Sequence, residues 1–594
     1  MVPLQQSEPA HGKRPFPKQG SGSRTKRNQK KARKRERDMK DGSHEEVLEL
    51  DIQELHASLN RPENTTAGED DSKAADAAEE ALPEEGSEIE VEVVELSSTG
   101  DALALQKGSK RIYVLPFAVP GDVVKVKVYR HNWQHTVADF ISVVRPSPSR
   151  DDSRIQCKYF ATCSGCQYQM LDYAKQLRVK KRIVEKAFRN FSQLPPELIP
   201  AIQDTIGSPL QYGYRTKLTP HFDGPGGGRK NKSPFEARPN IGFMQKGKRK
   251  TLDIEDCPIG TDAVRLGMKL ERDRMAVEFK KYTNGATILL RESTKRIPKD
   301  AAASASPPAT AEMETPNTIK VETDTYTDLK TCVTDNKGTS TEYIGDFVFH
   351  NPAGSFFQNN NSILPVFTDY IRQHILPPPP PSPSANTTAT TPPPIKYLID
   401  AYSGSGLFTI TLSSLFQGST GIDIAESSIG FARTNARANA LPESQARFLA
   451  ADAGELFRSV AGAYDPDRTA VVLDPPRKGC DAGFLRQLLS FAPRRVVYVS
   501  CNVHTQARDV GMLVRGEAGG EGDDGKKKEE EEEEKRTTTT TRYAIESLRG
   551  FDFFPQTGHV EGVAVLNRVD DDDDDDDKKR KKKKKKKKSY QGCV

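Results

Sequence analysis

Apolar residues are scarce in this sequence. Hydrophobic side chains make up 35% of its 594 residues, aromatic ones 7%, and there is one tryptophan. That is below the usual share for a globular chain. The deficit is uneven: it falls in the first eighty-odd residues, a few interior stretches and the last twenty-five, so ordinary cores remain possible elsewhere. No apolar run approaches the roughly 18 residues that a membrane span needs, and the basic N-terminus has no apolar stretch behind it. A soluble intracellular protein is expected, in nucleus, cytoplasm or mitochondrion, with no membrane and no obligate protein partner. Cysteine is also sparse, at eight residues. Inside a cell these read as reduced thiols, which points to metal binding or catalysis before disulfides.

Charge, by contrast, is abundant and blocky. The net charge of +5 conceals basic tracts at Lys13–Arg37 and Lys578–Lys588, the latter behind the acidic run Asp570–Asp577. Such blocks repel themselves and read as disordered. For each tail, bland solvation and attraction to RNA phosphates or nuclear import are equal readings. Residues 1–86 and 570–594 are therefore expected to be disordered. Residues 87–146 alternate in short runs (EIEVEVVEL, RIYVLPFA, DVVKVKVYR) separated by turn signals, which predicts a small five-stranded barrel. A middle region, 150–345, opens on a Cys-rich loop and a helical stretch around MLDYAKQLRVKKRIVEKAFRNF. It also holds the Gly224–Gly228 loop and a Pro/Ala/Thr-rich interruption, Ala301–Thr318. Strand and helix patterns then alternate over 346–569, predicting an α/β doubly wound parallel sheet with inserts near 377–394 and 516–541.

Four segments of that last region carry chemistry. In DAYSGSG, Asp400 to Gly406, two glycines allow a tight turn that brings backbone amides to a ligand at the strand ends. A dinucleotide fingerprint would place a further glycine where Thr409 stands. Asp423 ends the next strand, placed to accept hydrogen bonds from ribose hydroxyls, and Asp452 follows the third. Together they fit an adenosyl-type cofactor, or only a tight turn. In LDPPRKG, Asp474 precedes two prolines that hold the backbone out of helix and ladder bonding. In VVYVSCN, Cys501 is either a small core residue or, at a strand's carboxyl end before Asn502, an exposed nucleophile. In FPQTGHVEGVAVL, Glu561 alone reads as a surface acid, and beside Cys501 as half of a base–nucleophile pair.

These motifs, in this order, resemble the RNA uracil-5-methyltransferase family, as do YRTKL from Tyr214, IGFMQKGKRKTLDIEDCPI from Ile241 and GSFFQNN from Gly354. The 87–146 region resembles the TRAM domain, an OB-like RNA-binding barrel. The resemblance covers roughly 90–570 and implies a Rossmann-like SAM-dependent methyltransferase domain. It implies SAM contacts from Gln358, Tyr402, Asp423 and Asp474, a nucleophile in Cys501 and a general base in Glu561. C5 of uracil is too weak a nucleophile to take a methyl group unaided. A thiolate added at C6 makes C5 enolate-like, and a carboxylate must afterwards remove the C5 proton. The base must be flipped out of any helix to be reached. Blocky inserts and charge runs suggest a eukaryotic chain, where the family's product is 5-methyluridine in the tRNA T-loop. A uridine of rRNA and a catalysis-independent RNA chaperone are the alternatives. A cytosine-5 enzyme is disfavoured, because its Pro-Cys segment here reads Asp474-Pro475-Pro476.

CKYFATCSGC and DCPI supply Cys157, Cys163, Cys166 and Cys257. Four thiols can hold a [4Fe–4S] cluster or zinc, and the resemblance implies a cluster at this pattern in some members. Free buried thiols are the other reading. Cys332, Cys480 and Cys593 have no partner pattern.

Overall fold

The computed structural model describes residues 41–60, 82–225, 233–299, 316–378, 393–451, 457, 460, 462–517 and 541–570. Most of the low-complexity inserts, the charged C-terminal tract, Asp452 and Cys593 lie outside these.

Five strands, β1 (Glu88–Leu96), β2 (Ala102–Leu105), β3 (Ile112–Leu115), β4 (Val123–His131) and β5 (His135–Arg145), close a barrel in the order β1-β2-β3-β5-β4, as the alternating pattern predicts. Val91, Val93, Val124 and Val126 fill it, and Tyr168, Met170 and Leu171 from the following loop complete its core. Before the barrel, where the sequence pattern predicts only disorder, stands helix α1 (His44–Leu59), capped by the Ser43 hydroxyl, which accepts from Glu46 N at 3.3 Å. Its acids hide a short apolar stripe: Ile52 and Leu55 pack on Leu103, Ile112 and Val114 of the barrel. Asp51 accepts from Ser98 N at 2.5 Å and pairs with Lys186 at 2.9 Å, both carboxylate and ammonium being buried.

Lys186 belongs to α2 (Tyr173–Phe191), started by the Asp172 carboxylate accepting from Lys175 N at 2.8 Å. The helix is where the sequence places it, but its partner is not the middle region. Ile183, Val184 and Phe188 pack into the core of the C-terminal sheet, and β6 (Gln203–Ile206) pairs with that sheet's edge. What remains between is a small sheet. In it β7 (Lys217–Leu218), β10 (Leu290–Pro298), β11 (Ile319–Glu322) and β12 (Tyr326–Val333) run in the order β11-β12-β10-β7. Helix α3 (Asp262–Glu278) covers it, burying Val264 and Met268 against Leu218 and Leu290. Two small pairs flank it: β8 (His221–Phe222) with β9 (Ala286–Thr287), and β13 (Thr339–Ile344) with β14 (Phe347–Pro352).

The C-terminal sheet runs β17-β16-β15-β18-β19-β21-β20-β6. Strands β15 (Tyr397–Ala401), β16 (Gly418–Asp423), β17 (Ala446–Ala450), β18 (Thr469–Leu473) and β19 (Arg495–Ser500) are parallel, while β21 (Glu561–Val569) is antiparallel to both β19 and β20 (Arg542–Phe551). Helices α4 (Leu364–His374), α5 (Leu407–Thr411) and α6 (Glu426–Ala438) pack Phe367, Phe408 and Ile429 on one face; α7 (Ala482–Phe491) and α8 (Val503–Arg515) pack Leu488 and Val510 on the other. Burial on both faces explains the continuous apolar runs VVL and RVVYVS. Among the described residues no helix is long and apolar enough to cross a membrane.

Helices α2 and α8 touch at Gly511, where an added Cβ would lie 1.9 Å from the Ser192 carbonyl oxygen. Gly511→Ala is expected to cost about 1–3 kcal/mol by overpacking, read as a lowered urea midpoint with unchanged slope. An unchanged midpoint would mean that the helices separate freely.

Candidate functional site

Parallel strands that alternate with helices present their carboxyl ends to one cleft. Across that edge the strand order sets side chains from β16, β15, β18, β19 and β21 side by side, about 4.8 Å per strand. They are Asp423, Asp400, Asp474, Cys501 and Glu561. The ladder fixes the last pair: Ser500 lies opposite Gly562, so the next step outward sets Cys501 opposite Glu561. An insert and a strand reversal separate these residues in sequence, yet they are neighbours in the sheet.

The glycine turn after β15 is tight, with φ of 64° at Tyr402, 54° at Gly404 and 92° at Gly406. Asp423 braces it, accepting from Gly404 N at 3.0 Å and Ala425 N at 2.8 Å, which leaves each carboxylate oxygen a further lone pair for a ligand. Thr409, the departure from a dinucleotide fingerprint, also has its reason here: its N–H (2.9 Å) and hydroxyl (2.6 Å) both donate to Asp400 Oδ2. The ring of Tyr402 packs on Phe484 and its hydroxyl reaches Cys480. Cys480, without a partner pattern in the sequence, is joined to Tyr498 and, through its N–H at 2.8 Å, to Asp509. Gln358 is buried in the adjoining segment, where Asn359 accepts from Arg291 at 3.0 Å and Asn360 donates to the Phe553 carbonyl at 3.2 Å.

Glu561 is no surface acid. It is 1% exposed, and neither carboxyl oxygen has a hydrogen-bond partner among the described residues. Burial, then the nearby Asp474, hold its carboxyl well above the usual range. Asp474 is raised by burial and by Asp400, and Asp400 is pushed up to about 7, chiefly by burial. The Cys501 thiol is half-buried rather than exposed, and burial, Glu561 and Asp474 push it up to about 12. Opposing them is Arg477, whose guanidinium hydrogen-bonds the thiol. The sequence motif contained Arg477 without a role; a cation three residues past the acid, in a Pro-Pro turn that cannot continue as helix, was the available signal. Its backbone is locked in place, the Arg477 carbonyl accepting from Asn502 Nδ2 at 2.9 Å and Thr505 Oγ1 at 3.1 Å.

The loop leading to Glu561 hangs on a residue that the sequence hides. Lys180 of α2 is fully buried, and its ammonium donates to Asp552 Oδ1 at 2.6 Å, the Phe554 carbonyl at 3.0 Å and the His559 carbonyl at 2.6 Å. In a helix rich in Lys and Arg nothing marks it out.

Arg477, Phe554, Thr557 and His559 also line a cavity of about 330 Å3, within the size of small-molecule pockets. Its lining also includes Cys157, Cys163, Cys166 and Cys257. The four cysteines thus line one cavity. Burial keeps them protonated, Cys166 being pushed up to about 12. Among the described residues no three His, Cys, Asp or Glu side chains are arranged to hold a metal ion. The expected iron–sulfur or zinc ligand set is therefore a shared wall here, not a converged site, and no step is derived through it.

Comparison with known proteins gives the family. A family model described as tRNA (Uracil-5-)-methyltransferase matches residues 391–517, and a TRAM domain model matches residues 83–133. A tRNA (uracil(54)-C(5))-methyltransferase of Schizosaccharomyces pombe is 42% identical over 483 residues, 81% of this chain and 78% of that protein. The chain belongs to the tRNA (uracil-5-)-methyltransferase family. A second family member, the tRNA (uracil(54)-C(5))-methyltransferase of Saccharomyces cerevisiae, is 37% identical over 504 residues, covering 81% of this chain and 73% of that one. In fold, the chain is similar to Pyrococcus abyssi tRNA (uracil-54, C5)-methyltransferase solved with S-adenosyl-L-homocysteine. The TM-score is 0.51 at 22% identity, over 80% of this chain and 100% of that chain.

Lys180→Met is expected to cost about 3–5 kcal/mol by leaving Asp552 buried and unpaired, measured by urea unfolding. A loss within the roughly 0–1 kcal/mol of an exposed ion pair would mean that water reaches the pair.

Proposed function

We propose that this protein transfers the methyl group of SAM to C5 of a uridine in the T-loop of tRNA, the position 54 named for its yeast relatives. The observation that carries the reading is the pairing of Cys501 with Glu561 on adjacent strands, the carboxylate dry and unpartnered, beside a row of acids. The acids suit a sulfonium cofactor. A positive ligand favours their ionised forms, and neither oxygen of Glu561 is otherwise engaged.

In this reading Asp423 would hold the ribose of SAM beside the glycine turn, and Tyr402, Gln358 and Asp474 would hold the remainder. SAM supplies an electrophilic methyl group when bound. Arg477 favours the thiolate form of Cys501, in which the sulfur adds to C6 of the flipped base, the C5–C6 bond electrons moving onto C5 and O4. C5 then takes the methyl group as its bond to the sulfonium sulfur breaks, the electron pair staying on that sulfur as a neutral thioether leaving group. Glu561 removes the C5 proton, the C5–C6 bond re-forms and the thiolate leaves. The barrel, a small fold of an RNA-binding type, presents Lys127, Tyr129 and Arg130 on one exposed strand, which supports RNA as the substrate. The four-cysteine wall enters no step.

Cys501→Ala should abolish formation of 5-methyluridine in unmodified tRNA. Glu561→Gln should instead accumulate protein covalently joined to methylated RNA, because proton removal is blocked after methyl transfer. A Glu561→Gln enzyme that turned over normally without any adduct would sink the base assignment. Product found only in rRNA would move the substrate and keep the chemistry.

Acid pKa values raised in the free protein predict a pH dependence. A carboxyl raised to about 7 keeps its proton in the folded state where the unfolded chain has lost it. Stability therefore falls as pH rises through that window. A cationic ligand favours the ionised form, so SAM binding should release protons and weaken as pH falls below about 7. Calorimetry in buffers of different ionisation enthalpy reads both effects. Affinity that stayed flat through this range without proton release would refute the electrostatic account.

A further inference from the structure

Between Ile241 and Ile254 the chain doubles back in a tight hairpin. Its tip reads Lys246-Gly247-Lys248-Arg249-Lys250, four cations in five residues. The hairpin is closed by Leu252 N on the Phe243 carbonyl (2.9 Å), Gln245 N on the Lys250 carbonyl (2.9 Å) and Lys248 N on the Gln245 carbonyl (3.2 Å). Gly247 supplies the positive φ of 72° that so short a turn requires. Lys246 is structural, its ammonium pairing with Asp101 of the barrel at 2.7 Å. Lys248, Arg249 and Lys250 are exposed, and their side chains have no ion-pair or hydrogen-bond partner among the described residues.

The turn is held on two sides, and both lead to the cleft. On the first, Lys246 N donates to the Thr162 carbonyl at 2.9 Å, Ser164 N donates to the Met244 carbonyl at 3.0 Å, and Cys163 bridges Gln245. Cys163 and Phe243 line the same cavity as Arg215 and Arg477. The carboxylate in that lining, Asp256, is already engaged by Arg265 at 2.8 and 2.7 Å, so it offsets little of their charge. On the second side, Asp101 follows Gly100, which touches the loop leading to Glu561: a Cβ on Gly558 would lie 3.2 Å from Gly100 Cα. A Cβ on Gly247 would in turn lie 3.7 Å from Asp139 Oδ1, and Asp139 stands opposite Lys127 in the β4–β5 ladder. Cross-strand partners share a face, so the turn adjoins the exposed face of β4 that carries Lys127 and Tyr129.

Three like charges at consecutive positions repel one another until an anion lies across them. Phosphodiester oxygens suit both head groups, the guanidinium as a fork and the ammoniums as point charges. The tip offers cations and backbone, with no aromatic ring to stack a base. We infer that Lys248, Arg249 and Lys250 form a phosphate clamp, which holds the backbone of the substrate RNA between the barrel and the cleft and positions it without reading its bases. This rests on the RNA reading above and extends it to a segment outside both the barrel and the catalytic sheet.

The test uses three full-length variants. The first carries Lys248→Gln, Arg249→Gln and Lys250→Gln. The second removes equal charge elsewhere, through Lys269→Gln, Lys280→Gln and Lys281→Gln, exposed cations of α3 and the turn after it. The third, Lys248→Arg with Arg249→Lys and Lys250→Arg, keeps the charge of the clamp. Binding of an unmodified tRNA transcript is measured by filter retention across a salt series, with methyl transfer measured in parallel. The first variant should bind about tenfold more weakly, its log–log salt slope shallower by about 0.7–0.9 for each phosphate that is no longer neutralised. Its KM for tRNA should rise, while kcat and the KM for SAM stay unchanged. The second and third variants should match the parent. Unchanged binding in the first variant would overturn the proposal, as would a fall in kcat at constant KM. Equal weakening in the second would reduce the effect to net charge, and equal weakening in the third would make the turn a packing element; either result overturns the clamp. Turn-dependent binding by a protein that transfers no methyl group counts against the enzyme reading alone. Methyl transfer with turn-independent binding counts against this inference alone.

Discussion

The Lys180 ammonium lies in the dry interior with one carboxylate, that of Asp552, and two carbonyls, those of Phe554 and His559. A buried charge is tolerable only when its partners are held in place, so the constraint runs both ways. The loop from Asp552 to His559 cannot drift without stranding the ammonium, and α2 cannot leave the sheet without stranding Asp552. That loop ends two residues before Glu561. The helix that anchors it also receives α1 through Lys186 and packs on α8, which starts two residues after Cys501. Cys501 and Glu561 are thus both referred to a helix that precedes the first strand of the methyltransferase sheet's parallel part by some two hundred residues in sequence.

The acids of the cleft form the complementary half of the arrangement. Each of β16, β15, β18 and β21 contributes one carboxyl group near the same edge, and three of these carboxyls, those of Asp400, Asp474 and Glu561, are raised by burial. Native folds rarely leave buried carboxyl oxygens unpartnered, and Glu561 leaves two. Such a row is unfavourable in the free protein and favourable once a cation lies along it. Local destabilisation of the free site thereby becomes affinity for a positively charged cofactor.

Much of this was legible in the sequence, for physical reasons. A parallel sheet buried on both faces writes itself as apolar runs ending in turn residues, so the strand ends at Asp400, Asp423, Asp474 and Cys501 could be read directly. The barrel's period-two pattern is equally plain. Other features are encoded in tertiary packing and not in periodicity. Helix α1 shows mostly acids, because its narrow apolar stripe meets a barrel wall that is itself distant in sequence. The burial of Glu561 follows from the antiparallel entry of β21, which loop chemistry around it does not reveal. Lys180 is one cation among many on an amphipathic helix, and only the fold gives it partners. The middle region divides because α2 and β6 find better apolar cover on the catalytic sheet than among their sequence neighbours.

Burial gives Cys501 a problem that the same geometry answers. A thiol pushed up to about 12 is almost wholly protonated at neutral pH, and the thiolate is the nucleophile. Of the charged groups facing the thiol among the described residues, Glu561 and Asp474 both worsen matters and Arg477 opposes them. The Arg477 backbone is pinned by Asn502 and Thr505, from the loop and helix that carry the cysteine, so the start of the Arg477 side chain is tied to the segment that carries the sulfur. A cation along the acid row would screen the thiol from Asp474 and Glu561 and leave Arg477 dominant. In the proposed reaction, cofactor binding and thiol activation would then be linked through charge, with the acids as the element that both the cofactor and the thiol face.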